Sequence, residues 1–353
     1  MELRELGWDS FFESSFSTLT RNHESVVPAR VVAEHREIYR LAAARGELSA
    51  ELLGKLRYQA ETREDLPVTG DWVAAQEFPG EAKGIIHAVL PRRTRLARKA
   101  AGERTEVQLV AANVDTLFVV TSLNADFNPR RLERYVAFAL ESGVAPVIVL
   151  TKADLVPDPS PFVREVGLVA PGRAVHVISA RTGAGLDALR EHLVPGRTVA
   201  FVGSSGVGKT TLVNLFEGGT RAVREVRDGD DRGRHATTAR ELVVLPGGGL
   251  LLDTPGMREL TPWEGGEALS GTFSEIDALA NGCRFRDCRH QGEPGCAVAG
   301  AVPPDRLASH AKLRRETERL AELRSSSASL VEKRRWKNLM ASARETDLGK
   351  RSR

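Results

Sequence analysis

Cysteine is scarce, with three residues in a chain of 353. That is too few for a disulfide scaffold, and all three fall between Cys283 and Cys296. No apolar run approaches the roughly 20 residues needed to span a bilayer, which argues against a transmembrane helix. The opening Met1-Glu2-Leu3-Arg4-Glu5-Leu6 lacks the apolar core of a signal peptide. Together these absences predict a cytoplasmic protein without membrane contact. A large overall charge is also missing, since the formal net charge is only +3. Its distribution is uneven: Lys312–Arg353 holds 13 Lys/Arg against 6 Asp/Glu, which leaves the remainder slightly acidic. A basic tail on a near-neutral body suits a polyanionic partner such as nucleic acid. Hydrophobic residues at 41% and charged residues at 27% are the balance of a globular protein, and the length allows two or three domains.

Gly203-Ser204-Ser205-Gly206-Val207-Gly208-Lys209-Thr210 fits the G-x4-G-K-[ST] phosphate-binding loop at every fixed position. The apolar run Thr198–Val202 before it reads as a buried strand, and Thr211–Phe216 after it as an opening helix. Glycines let such a loop curl its N–H groups inward, and the helix N-terminus adds partial positive charge there. Lys209 is placed to reach the β- and γ-phosphates, and the Thr210 hydroxyl to ligate Mg²⁺.

Upstream, the N-terminal 24 residues read either as a short helix or as a partly ordered arm containing Phe11, Phe12 and Phe16. Residues 25–104 show short strand-like runs with Gly/Pro punctuation, predicting a small β-barrel of the five-stranded OB type. Within it, Leu48–Leu56 reads as helical and Tyr58-Gln59-Ala60 as extended. A basic loop follows (Arg92, Arg93, Arg95, Arg98, Lys99, Arg104), either a phosphate-backbone contact or a solvated linker. From 105 to 262 strands and helices alternate, predicting a parallel sheet covered on both faces, with ligands beyond the strands' carboxyl ends.

Two further motifs stand at those ends. Thr151-Lys152-Ala153-Asp154 and Ser179-Ala180 resemble the guanine-reading [NT]-K-x-D and S-A motifs of GTPases. A carboxylate at Asp154 can accept from both N1–H and the 2-amino group of guanine, whereas adenine leaves it unpaired. Lys152 would pack along the nucleotide, and the Ala180 N–H would meet the base oxygen. Thr151 stands where Asn is commoner. Downstream, a hairpin of Glu241–Leu245 and Gly249–Asp253 ends in Asp253-Thr254-Pro255-Gly256, the D-x-x-G pattern. Asp253 would hold Mg²⁺ through water and the Gly256 N–H would meet the γ-phosphate. A threonine of the preceding loop, Thr238 with Thr237 as the other candidate, would close over Mg²⁺.

Cys283, Cys288, His290 and Cys296 give a Cys-x4-Cys-x-His-x5-Cys spacing. Three soft sulfurs and one imidazole complete a closed, structural zinc site that uses every cysteine in the chain. The flanking Arg284, Arg286 and Arg289 are placed to contact RNA. Beyond Pro303 the chain reads as helical, and Lys333-Arg334-Arg335-Trp336-Lys337 suits either an RNA contact or a solvated helix face.

In an ordinary GTPase the K-x-D and S-A motifs follow the phosphate loop; here they precede it, a circularly permuted order. With the barrel, the Cys3His segment and the basic tail, the chain resembles the RsgA family of small ribosomal subunit biogenesis GTPases along nearly its whole length. The resemblance rests on Thr151–Asp154, Gly203–Thr211, Gly233–Thr238, Asp253–Gly256 and the zinc ligands. It implies a multidomain protein: an OB-like barrel, a permuted α/β P-loop GTPase, and a mostly helical zinc-binding domain at 263–353. It implies GTP/GDP with Mg²⁺, one structural Zn²⁺, the small ribosomal subunit and its rRNA as partners, and a monomer in solution. Met257 follows the D-x-x-G motif and cannot orient water, so the resemblance assigns that role to His235. Two rivals are an RNA-binding assembly factor that uses GTP as a switch with negligible turnover, and an ATPase or kinase built on the same loop.

Overall fold

The computed structural model describes residues 2–21, 25–35, 37–99, 107–218, 241–253 and 271–319. Near the N-terminus the Asp9 carboxylate accepts from the Phe11 N–H at 3.0 Å and caps helix α1 (Ser10–Leu19). The segment that read as either helix or arm is thus helical. It is held by Leu6, Trp8 and Phe12, all buried, with Trp8 and Phe12 packed 4.7 and 5.8 Å from the ring of Trp72.

Five strands then close into a barrel: β1 (Val26–His35), β2 (Ile38–Ala43), β3 (Gly46–Leu52), β4 (Trp72–Glu77) and β5 (Lys83–Val89). Their order is β1-β2-β3-β5-β4, and β4 pairs back onto β1 from Val26↔Gln76 to Arg30↔Trp72. Val31, Tyr39, Leu41, Leu48, Val73 and Ile86 fill the interior. Two local expectations are corrected. The start of the supposed helix Leu48–Leu56 is strand β3, because Leu48 and Ala50 point inward while Glu47, Ser49 and Glu51 point out, a period of two. Tyr58 and Gln59, expected to be extended, belong to a short helix α2 (Gly54–Gln59).

Residues 92–99 of the basic stretch after the barrel are not a free loop, while Arg104 lies outside the described residues. Strand β6 (Arg95–Lys99) pairs antiparallel with β7 (Val107–Ala112). Arg92 grips the buried Asp71 carboxylate with Nε and Nη2, at 2.8 and 2.7 Å. Arg93 pairs with Asp9 and lies 4.8 Å over the rings of both Phe11 and Phe12. Two cations of the stretch read as either a phosphate contact or a solvated linker are therefore engaged with the protein's own carboxylates.

The next elements are β8 (Thr116–Ser122), α3 (Pro129–Glu141), β9 (Ala145–Thr151), α4 (Ser160–Val169) and β10 (Val175–Val177). They continue with α5 (Leu186–Arg190), β11 (Thr198–Val202), α6 (Lys209–Glu217), β12 (Glu241–Val244) and β13 (Leu250–Asp253). Strands β10-β9-β8-β11-β13 run parallel, and β12 is antiparallel at the end. Helices α3 and α4 cover one face and α5 and α6 the other, as the alternating pattern predicts. β12 then meets β1 at Ala33↔Glu241, so barrel and sheet share one continuous run of strands. The ion pair between Arg40 and Glu241 flanks that junction.

Arg30 fastens the same joint from within. Its guanidinium, 2% exposed, donates to the carbonyl of Leu6, to Gly70 O (3.3 Å), to Asn113 O (3.0 Å) and to Thr198 Oγ1 (2.8 Å). Those partners come from the N-terminal segment, the barrel, the connection to β8 and the start of β11. Burial lowers the pKa of Arg30 to about 10, against the attraction of Asp115 and Asp71.

The C-terminal part adds a short helix, Ser274–Ala280, and a helical run over residues 304–319, packed around Phe273, Ile276, Val298, Val302 and Leu313. Among the described residues no helix is long and apolar enough to cross a membrane.

Candidate nucleotide-binding site and metal centre

Strand β11 is buried along its whole length and delivers Gly203 to the carboxyl edge of the sheet. Gly203 has φ +151°, and a Cβ there would lie 2.2 Å from the carbonyl oxygen of Val120 on β8, so the turn requires glycine. Gly206 and Gly208 also have positive φ, and Gly208 precedes the first turn of α6. The Lys209 ammonium donates to Gly203 O at 2.6 Å and to Ser204 O, which places its charge over the loop. Thr210 is exposed at the same end of α6.

The loop is tied to the neighbouring motif by a buried hydroxyl. Thr151 Oγ1, at the end of β9, donates to Val207 O at 2.6 Å and also approaches Thr121 O at 3.2 Å. This accounts for a threonine at that position: its short hydroxyl is spent on the backbone of the phosphate loop. The next residue, Lys152, takes a left-handed conformation (φ 60°, ψ 37°), which turns the chain sharply and sets Asp154 beside the segment after β10. Asp154 Oδ1 accepts from Ser179 Oγ at 2.6 Å, and Oδ2 from Arg181 Nε at 2.8 Å. The Ser179 hydroxyl, then the Arg181 guanidinium, hold the Asp154 pKa below the ordinary carboxylate value, so it stays ionised as an acceptor. The Ser179 turn is closed by Gly185, where a Cβ would lie 2.3 Å from Val177 O.

In the C-terminal part, the donor atoms of Cys283, Cys288, His290 and Cys296 all lie within 4.8 Å of one another. His290 Nδ1 is 3.7 Å from Cys283 Sγ and 3.5 Å from Cys296 Sγ, and those two sulfurs are 4.0 Å apart. Tetrahedral zinc with bonds of about 2.0–2.3 Å separates its ligand atoms by about 3.5–3.8 Å, so the cluster fits that ion. Backbone N–H groups support the sulfurs, Ala297 donating to Cys283 Sγ and Ala299 to Cys296 Sγ. The Ala299 N–H is the main reason the Cys296 thiol falls to about 6, which favours the ligating thiolate.

Residues 89–263 match the RsgA GTPase family. The small ribosomal subunit biogenesis GTPase RsgA of Opitutus terrae is 45% identical over 96% of this chain and 96% of its own. The protein of the same name from Streptomyces coelicolor is 42% identical over 90% of this chain and 87% of its own. The chain belongs to the RsgA GTPase family. As a member of that family it is a GTPase, splitting GTP into GDP and phosphate. Solved structures share the fold. YjeQ from Thermotoga maritima superposes with a TM-score of 0.62 at 25% identity, covering 83% of this chain and 98% of that one. YloQ, described as a circularly permuted GTPase, gives 0.59 at 23% identity, covering 84% of this chain and 96% of that one.

Of the site residues expected from the sequence, the structure gathers Thr151–Asp154, Ser179, Ala180 and Gly203–Thr211 at the carboxyl ends of β9, β10 and β11. Asp253 closes the neighbouring strand β13. Thr237, Thr238, His235, Gly256 and Met257 lie outside the described residues, as does the tail with Lys333–Lys337. Sequence reasoning missed one contact, that of Arg181, next to Ala180, on the Asp154 carboxylate. An S-A motif followed directly by a cation was a usable signal for it.

Proposed function

We propose that this GTPase acts on the small ribosomal subunit, as the names of its relatives say of them, and assists its late maturation. The observation that carries the site assignment is the linked constellation at the sheet's carboxyl edge. The phosphate loop is bonded through Thr151 to the strand end that presents Asp154, and Ser179 and Arg181 orient that carboxylate.

In this reading the loop N–H groups of Gly203–Thr210 and the Lys209 ammonium hold the β- and γ-phosphates. Asp154 reads the guanine edge, with Lys152 along the base and the Ala180 N–H at its oxygen. Thr210, Asp253 and Thr238 hold the magnesium ion, which offsets the charge that builds up between the β- and γ-phosphates. Gly256 senses the γ-phosphate, and His235 positions the attacking water by hydrogen bond. Cys283, Cys288, His290 and Cys296 hold a structural zinc, and the arginines beside them face rRNA together with the basic tail. The domain layout is an N-terminal segment to residue 24, a barrel over 25–104, the permuted GTPase over 105–262 and the zinc-binding part from 263, in a cytoplasmic monomer.

The decisive experiment is GTP hydrolysis titrated with purified small subunits, on wild type and His235→Ala. Wild-type turnover is expected to rise with subunit concentration. The variant is expected to bind GTP normally and to lose about 10²-fold or more of the stimulated rate. Absence of stimulation would refute the subunit reading, and a fully active variant would refute the role of His235.

A further inference from the structure

A guanine edge asks for both kinds of partner. N1–H and the 2-amino group need acceptors, and the lone pairs on O6 need donors. In the proposed reading Asp154 supplies the acceptors and the Ala180 N–H supplies one donor. That N–H has no acceptor of its own among the described residues. Thr151, at the head of the same motif as Asp154, has no donor to add, because its single proton goes to Val207 O at 2.6 Å.

Arg181 stands against both readers. It follows Ala180 directly, and its Nε donates to Asp154 Oδ2 at 2.8 Å. A guanidinium carries several N–H donors in a rigid fork, and this bond uses one of them. Among the described residues the Nη groups of Arg181 carry no hydrogen bond. Its side chain is 74% exposed, whereas that of Asp154 is only 12% exposed. The turn that carries Arg181 is held by its own backbone. Ser179 N–H donates to Ala184 O at 3.0 Å, Gly183 N–H to Ser179 O at 2.9 Å and Thr182 N–H to Ser179 Oγ at 3.2 Å. Because that hydroxyl oxygen accepts from Thr182, its own proton is directed to Asp154 Oδ1, 2.6 Å away.

The acceptor count leaves room for every partner. An ionised carboxylate has about four lone-pair sites. Ser179 takes one on Oδ1 and Arg181 one on Oδ2, so each oxygen keeps a site for one of the two guanine donors. Arg181 therefore need not leave when the base arrives. Its fork sets donors beside the acceptors of Asp154, just as guanine sets O6 beside N1–H. Adenine has an acceptor at N1 and a donor at N6, so it meets both members of the pair with the wrong sign.

We propose that Arg181 is a base-reading residue, which forms with Asp154 an acceptor–donor pair and donates from Nη to O6 of guanine. This rests on reading Asp154 as the guanine acceptor, which Asp154→Asn tests independently.

The test uses the full chain and competition against a fluorescent GDP analogue. Arg181→Ala is expected to weaken GDP binding about fivefold, the effect of one hydrogen bond from a solvent-exposed cation, at an unchanged melting temperature. Inosine diphosphate keeps O6 and lacks the 2-amino group, so its loss is expected to match that of GDP. 6-Thio-GDP carries sulfur, a weaker acceptor, in place of O6, and its loss is expected to stay under about twofold. Wild-type or tighter GDP binding in Arg181→Ala would overturn the proposal, as would an inosine diphosphate affinity untouched by the substitution. An equal loss for GDP and 6-thio-GDP would overturn it too, since Arg181 would then act only through the Asp154 carboxylate. If Asp154→Asn leaves the base preference unchanged, the base reading itself falls and the proposal with it. A turn toward xanthosine nucleotides in Asp154→Asn beside wild-type GDP binding in Arg181→Ala removes the role of Arg181 alone.

Discussion

The two oxygens of Asp154 are shared between Ser179 and Arg181, and this division sets how the site responds to acid. In the proposed reading the ionised carboxylate is the form that accepts from guanine. Its pKa is held below 3.8, chiefly by Ser179, so guanine binding is expected through neutral and mildly acid pH and is expected to be lost only as pH falls through that depressed value. Ser179→Ala removes the main support. The acid limb of GDP binding, followed from about pH 6 down to about pH 2.5, is expected to move to higher pH. Asp154→Asn is expected to turn the preference from guanosine toward xanthosine nucleotides, since the amide presents a donor where the carboxylate accepted. An unchanged preference would refute the base-reading role. The placement of Asp154, Ser179 and Lys209 at the strand ends was legible because their motifs fix residue type at fixed spacing. The use of Thr151 was not, because its partner Val207 lies in a different motif and the bond exists only after folding.

At the scale of elements, legibility followed local signal strength. Strand β11 has the bounds the sequence predicts, and helix α3 carries clear signals of its own. For α3 the reason is local: Asn128 caps it through the Arg131 N–H, Pro129 opens it, and its apolar positions recur at helical spacing. Strand β3 and helix α2 were exchanged because each is short, and a run of seven residues or fewer has little periodicity to read. The basic stretch was misread for a different reason. Charge suggests solvent, yet the buried carboxylate of Asp71 draws Arg92 inward. The Cys3His cluster is expected to act as an element of its own once it holds metal, since its segment has only a small apolar core. One equivalent of zinc per chain is expected by elemental analysis. Cys288→Ser or prolonged chelation is expected to release it and to melt the 271–319 part while nucleotide binding to the rest persists at reduced affinity. Retention of full thermal stability after zinc loss would contradict a structural role.

Across the whole molecule, barrel and GTPase sheet share a core as well as strands. Trp72, Ala74 and Leu90 of the barrel pack in the same buried cluster as Leu117, Leu132 and Ala200. Arg30 then donates to four separate segments around that core. Arg30→Met deletes those bonds and leaves their acceptors buried. It is expected to cost about 3 kcal/mol in chemical denaturation, with barrel and GTPase still unfolding in a single transition. Two separate transitions in wild type would show that the halves are independent after all. No sequence motif announces this joint, because an arginine within a strand reads as a surface residue until its partners are known.

The Arg30 joint bears on how the protein could gauge a large particle. With barrel and sheet riveted together by four buried bonds, a swing of the barrel alone would strand the Arg30 charge. The C-terminal part is tied in as well, since the fully buried Glu133 of α3 accepts from Arg306 Nη1 at 2.6 Å. The molecule is then built like a gauge block of set length. Contact at both ends would report a spacing on the bound surface rather than the presence of either contact alone.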